Sequence, residues 1–165
     1  ESWVRFRPQR NWTFSLANTY LNAEMETSEG TFRASNDLNY FLKAGLQYDN
    51  LAIGSFSLFY IQRPGTFFTS VIGSNWNINA MAYEPIFAGT WNNEQFRTYR
   101  SLNLAVSKVL VFDRHNFVCF LNLANVLNTN NQQYRSYNED YRQFSYETFS
   151  KRVFYFGVVW SMLHE

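Results

Sequence analysis

Arg100 to Asn128 reads RSLNLAVSKVLVFDRHNFVCFLNLANVLN, two long alternating runs that meet at a polar turn. Leu102, Leu104, Val106, Leu110 and Phe112 share one parity, and Ser101, Asn103, Ala105 and Ser107 share the other. A strand built on this stretch is oily on one face only. Past the expected turn, Asp113 to Asn116, the pattern resumes with Phe117, Cys119, Leu121 and Leu123 on one face and Val118, Phe120, Asn122 and Ala124 on the other. Each run approaches the ~9–11 residues that a tilted strand needs to cross a bilayer and exceeds the ~5–6 of an ordinary soluble strand. The hairpin therefore predicts a piece of transmembrane β-barrel.

Composition fits that expectation. Mean hydropathy is -0.35 and 46% of the 165 residues are hydrophobic, too few for a helical membrane protein. A barrel wall is half polar, because alternate residues face a wet lumen. The 17 Phe, 11 Tyr and 5 Trp suit a lipid face with aromatic girdles. Fourteen basic residues balance 13 acidic ones without a basic cluster, so nucleic acid is not expected as a partner. Cys119 is the single cysteine, which rules out an intrachain disulfide and a paired-thiol metal site; it reads as a small hydrophobe in the wall.

The same alternation runs along the rest of the chain. Trp12, Phe14 and Leu16 begin a strand that is expected to continue through Tyr20 to Met25 after a slip in parity. Leu38 to Tyr48 makes the next strand, Asp49-Asn50 a tight turn, Ala52 to Tyr60 another strand, and Arg152 to Leu163 the last. Short connections fall at Pro8 to Asn11, Asp49-Asn50 and Asp113 to Asn116; long polar ones occupy 27–37, 64–97 and 128–151. Outer-membrane barrels have short periplasmic turns and long extracellular loops, which orients the chain. SWVRFR, Ser2 to Arg7, reads as the end of a preceding strand. Six strands and a remnant cannot close a barrel, and an open edge in lipid leaves unpaired backbone groups. Residues 1–165 are thus expected to be one segment of a larger barrel, unless TFFTSVI (66–72) and INAMAYEPIFAG (78–89) add two strands and close a small eight-stranded one.

Four motifs carry a family resemblance. YRSLNLAVSK (99–108), then FLNLANVLN (120–128), resembles the closing strands of TonB-dependent outer-membrane receptors, of the types Y-x-x-L-D-L-x-V-S-K and V-x-N-L-F-N. RVFYFGV (152–158) is similar to their last strand, R-x-F-x-x-G-V, and PQRNW (8–12) followed by TYLNA (19–23) to their P-x-x-x-W … Y-x-Y-x-x-A pattern. NVLN and YNEDY resemble receptors of Bacteroidota in particular. The resemblance implies about six C-terminal strands of a 22-stranded barrel in the outer membrane of a Gram-negative bacterium. It also implies energy-coupled uptake of a nutrient: a chelate, an oligosaccharide or a peptide. The implied partners are outer-membrane lipid, the rest of the barrel with its plug, the TonB complex acting through that plug, and a surface lipoprotein. Two departures stand beside it. The family usually ends on an aromatic residue, whereas Met162-Leu163 is followed here by His164-Glu165, and no residues correspond to a plug or a TonB box.

Enzymatic chemistry finds little to stand on, and neither an activity nor a cofactor is expected. His115 lies in an expected turn with Asp113 and no nearby nucleophile, and His164 lies at the C-terminus. Glu139, Asp140 and Glu147 could approach calcium, but their spacing lacks the EF-hand pattern, so a solvated loop is the preferred reading. The loops offer recognition instead. Trp76, Tyr83 and Trp91 in the 64–97 segment, and Tyr134, Tyr137 and Arg142 in the 128–151 segment, are the candidate ligand contacts. The bland alternative packs these rings, with Phe67, Phe68 and Tyr141, against one another or into the outer girdle. Two other functions remain open: a small structural or adhesive barrel, and a soluble β-sandwich binding module.

Overall fold

A computed structural model describes residues 1–28 and 30–162; Leu163, His164 and Glu165, and with them the C-terminal departure from the receptor pattern, lie outside the described residues. The strands are β1 (Ser2–Gln9), β2 (Trp12–Thr19), β3 (Glu24–Thr27), β4 (Gly30–Arg33), β5 (Phe41–Asn50), β6 (Gly54–Arg63), β7 (Phe67–Phe68), β8 (Val71–Asn77), β9 (Ala82–Phe87), β10 (Glu94–Gln95), β11 (Tyr99–Phe112), β12 (His115–Ala124), β13 (Gln132–Tyr137), β14 (Phe144–Thr148) and β15 (Val153–Met162). Seven of them form one antiparallel meander, in the order β1-β2-β5-β6-β11-β12-β15. Its edges are β1 and β15, and each is bonded on one side only. The other strands pair two by two in the long connections, which all leave the same end of the sheet.

The register sorts side chains into two faces. Phe6, Phe14, Leu46, Leu58, Leu104, Leu123 and Phe154 stand opposite one another across all seven strands. One residue further along, the row is Thr13, Gln47, Ser57, Ala105, Asn122 and Tyr155. Leu42, Val106 and Leu121 share the oily face, while Lys43 and Asn103 share the small and polar one. Lys108 has the oily parity, but its Nζ reaches the Ala52 carbonyl at 2.7 Å, across the end of the β5–β6 hairpin.

Neither face is covered. Phe96, 8% exposed, is the one buried hydrophobic side chain among the described residues, whereas Phe6, Leu16, Phe154, Phe156 and Trp160 are all more than half exposed. The accessible surface is 12012 Å², against ~8,600 Å² for a folded soluble monomer of this mass. A two-faced sheet with no second layer accounts for the excess.

Several details depart from the sequence expectations. The main sheet has seven strands, not six and a remnant, because pairing runs along β1 from Ser2↔Asn18 to Gln9↔Trp12. Pro8 sits inside β1 at a bulge between Phe6 and Gln9, where its missing N–H leaves no ladder bond unmade. β2 stops at Thr19 rather than continuing to Met25, since the Ala23 N–H bonds Asp37 Oδ1 and the Leu21 N–H bonds the Leu38 carbonyl. Segments 66–72 and 78–89 stay out of the main sheet, and they pair in the separate β10-β7 and β8-β9 sheets. The turn expected at Asp49-Asn50 falls at Leu51-Ala52-Ile53, where Asn50 Oδ1 accepts from the N–H groups of Ala52 and Ile53. Gly54 follows at φ +120, and a Cβ there would lie 2.5 Å from the Ser107 carbonyl oxygen. His115 and Asn116 are not turn residues. The turn is Asp113-Arg114, and His115 opens β12 with its Nδ1 accepting from Trp160 Nε1 at 3.2 Å.

Candidate functional site

The loop end of the sheet is organised by asparagines. Asn125, at φ +50 and nearly fully buried, ends β12: its N–H donates to Asn103 Oδ1, and its amide exchanges bonds with the backbone of Thr129. Asn131 clasps Arg100 in the same way, accepting from its N–H at 2.9 Å and donating to its carbonyl at 2.8 Å. Asn128 Oδ1 accepts from the Arg152 N–H, while the Arg152 side chain donates to the Val126 carbonyl. Asn is well suited to this work because it tolerates positive φ and carries both a donor and an acceptor.

Above this base, Arg135 ties the two longest loops together. From β13 its Nη2 reaches Glu94 Oε2 of β10 at 2.5 Å and the Tyr146 hydroxyl of β14 at 3.1 Å. Its guanidinium lies 4.5 Å from the ring centre of Phe68 and 4.4 Å from that of Phe144. Phe68 stacks on Phe96, and Tyr146 meets Phe96 edge-on. Burial acts to lower the Arg135 pKa, but hydrogen bonding with Tyr137 and Tyr146 and the charge of Glu94 outweigh it and hold the group above its ordinary value. The cation is therefore permanent, and it is locked in place by pairing with a carboxylate and by aromatic faces.

A cleft of about 680 Å³ lies beyond Arg135, between the β8–β9 hairpin and the tip of β13–β14. Trp76 and Tyr83 wall one side, their ring centres 5.0 Å apart and edge-on. Tyr137 and Tyr141 wall the other, 5.7 Å apart. Met81, Ala82, Asn138 and Glu139 complete the lining. The hairpin tips are held by asparagine side chains that bond the local backbone. Asn77 Oδ1 accepts from the N–H groups of Asn79 and Ala80, and Asn138 Oδ1 accepts from that of Gln143. Ser74 Oγ donates to the Asp140 carbonyl at 2.6 Å and joins the two hairpins.

Of the six candidate contacts, Trp76, Tyr83 and Tyr137 come together here, whereas Trp91, Tyr134 and Arg142 do not line the cleft. Tyr134 has the opposite parity from Arg135 and Tyr137 on β13, so it projects from the other face. Arg142 is mostly exposed and lies 3.7 Å from Asp140 Oδ2. Phe67 and Phe68 stay with the inner packing, in line with the bland alternative: Phe67 lies under the Arg33 guanidinium and Phe68 under that of Arg135. The sequence reading passed over Met81 and Asn138, whose place in the cleft depends on turn geometry: Met81 sits at φ +48. Asp140 is engaged locally, its Oδ1 accepting from the Arg142 N–H, and no group of three acidic, histidine or cysteine residues able to share a metal ion occurs among the described residues. The chain matches no family model, no curated protein and no solved structure.

Proposed function

We propose that this chain forms part of the wall and outer loops of a TonB-dependent outer-membrane receptor, working in energy-coupled uptake of a chelate, an oligosaccharide or a peptide. The observation that carries the reading is the uncovered oily face and its height. Ten residue steps separate Leu102 from Phe112 on β11; at ~3.3 Å per residue and a tilt of ~40° they span ~25 Å, the height of an outer-membrane apolar band. Trp12, Tyr48, Phe112, Phe117 and Trp160 gather on that face toward the short-turn end, as an interfacial girdle requires. The small and polar face suits a wet lumen. Two unpaired edges favour a larger wall over a small stand-alone barrel, in which β1 and β15 would pair with each other.

In this reading the loops capture ligand from outside, and a plug supplied by the rest of the receptor moves under the TonB complex. This chain contributes rigid wall and recognition surface. Single cysteines at Asn79 and Leu51 in a Cys119→Ala background, displayed in a Gram-negative outer membrane, test it with an impermeant maleimide. Asn79→Cys should label on intact cells and Leu51→Cys only after permeabilisation. The reverse pattern inverts the topology, and recovery of the protein in the soluble fraction overturns the membrane assignment.

A further inference from the structure

We propose that the cleft between the β8–β9 and β13–β14 hairpins binds an organic cation, an ammonium or guanidinium group, from outside the cell. The inference deepens the loop-recognition part of the uptake reading and rests on it. The cleft presents four aromatic rings, Trp76, Tyr83, Tyr137 and Tyr141, and no lysine or arginine. Its one charged side chain is Glu139, which is exposed and makes no hydrogen bond or ion pair with another described residue. Ring faces carry negative potential and attract cations, and tryptophan does so most strongly.

A neutral sugar is less well served. Within each pair the rings stand edge-on or tilted, at 70° for Trp76 and Tyr83 and 40° for Tyr137 and Tyr141, so they enclose a space rather than form one flat stacking platform. Asn138 spends its Oδ1 on the Gln143 N–H, so only its Nδ2 is left to meet a sugar hydroxyl. An anion would face Glu139, and no basic side chain lines the cleft among the described residues. The geometry is also preset: the Ser74 to Asp140 bond and the Arg135 to Glu94 pair keep the loops that carry the two hairpins at a fixed separation, so little ordering is left for the ligand to bring about.

Isothermal titration of the whole receptor that carries this chain, in a polyoxyethylene detergent, tests the assignment, with choline, trilysine, maltotriose and 3,3-dimethylbutanol, the uncharged isostere of choline, as probes. A cation should bind saturably and about tenfold more tightly than the isostere. Trp76→Ala and Glu139→Gln should each weaken it about tenfold, while Trp76→Phe retains much of the affinity and Tyr134→Ala all of it. Tighter binding of trilysine points to a peptide side chain as the source, and tighter binding of choline to a small quaternary amine; either supports the site. Equal affinity for the isostere, preference for maltotriose, indifference to Glu139→Gln, or no heat with any probe overturns it. Correct maleimide labelling alongside failed cation binding removes only the cleft assignment, whereas inverted labelling with cation binding intact removes the uptake reading and keeps the site.

Discussion

Arginine at Val106 and arginine at Ala105, neighbours on opposite faces of β11, should differ sharply in cost. Val106 stands in the row Trp12, Tyr48, Phe56, Val106, Leu121 and Phe156 on the oily face. It lies about 10 Å below Leu102 once strand rise and tilt are applied, close to the middle of the proposed apolar band; because the strands tilt, the row runs obliquely, and Tyr48 and Trp12, two and three strands away, stand nearer the short-turn end. A guanidinium there costs about 2–4 kcal/mol, equivalent to a ~30- to ~700-fold drop in the folding constant. Ala105 stands in the row Thr13, Gln47, Ser57, Asn122 and Tyr155 on the small and polar face; facing a wet lumen a charged head there stays hydrated, and the same substitution should cost less than about 1 kcal/mol. Asn103 makes a poor comparison site because its Oδ1 accepts from both the Asn125 N–H and Ser101 Oγ, so its loss has a cost of its own. The assay is urea-dependent folding into lipid vesicles of the complete barrel that carries this segment, followed by tryptophan fluorescence. Were the oily face merely a wet surface, Val106→Arg would fall within about 0.5 kcal/mol. Equal costs at the two positions, or a larger one at Ala105, would refute the assignment of faces.

Two backbone positions give independent checks on the register. Gly54→Ala should destabilise by about 1–3 kcal/mol, read as a lowered urea midpoint, because φ +120 and the Ser107 carbonyl both exclude a Cβ; an unchanged midpoint argues against the described turn. Gly157→Ala places a methyl 2.6 Å from the Phe120 ring and should cost about 1–3 kcal/mol. In a double-mutant cycle Phe120→Ala should relieve at least about 0.5 kcal/mol of that cost, and strict additivity would mean that the ring does not lie over Gly157.

Alternation made the main sheet legible. In Leu102 to Phe112 or Phe117 to Leu123 the side-chain period of two is a property of the extended backbone, so which residues share a face follows from order in the chain. The separation of short turns from long loops, and hence the two ends of the sheet, followed from the same reading. Where a turn depended on one side chain, as when Asn50 moved it to Leu51–Ile53, the local pattern misled by two or three residues. β1 was undercounted because Pro8 reads as punctuation, while a bulge lets it stay within the strand.

The loops obey no such period. Asn131 finds Arg100 across 31 residues and Ser74 finds Asp140 across 66. Arg135 meets Glu94 only because β13–β14 and β7–β10 are stacked over the same end of the sheet. Alternation therefore specified an all-β chain with one oily and one polar face. Which aromatic residues meet in a cleft, and which merely pack, depended on how hairpins of separate loops fold over one another. That outcome is set by single long-range hydrogen bonds and ring contacts, each too specific in geometry to leave a repeating trace along the chain.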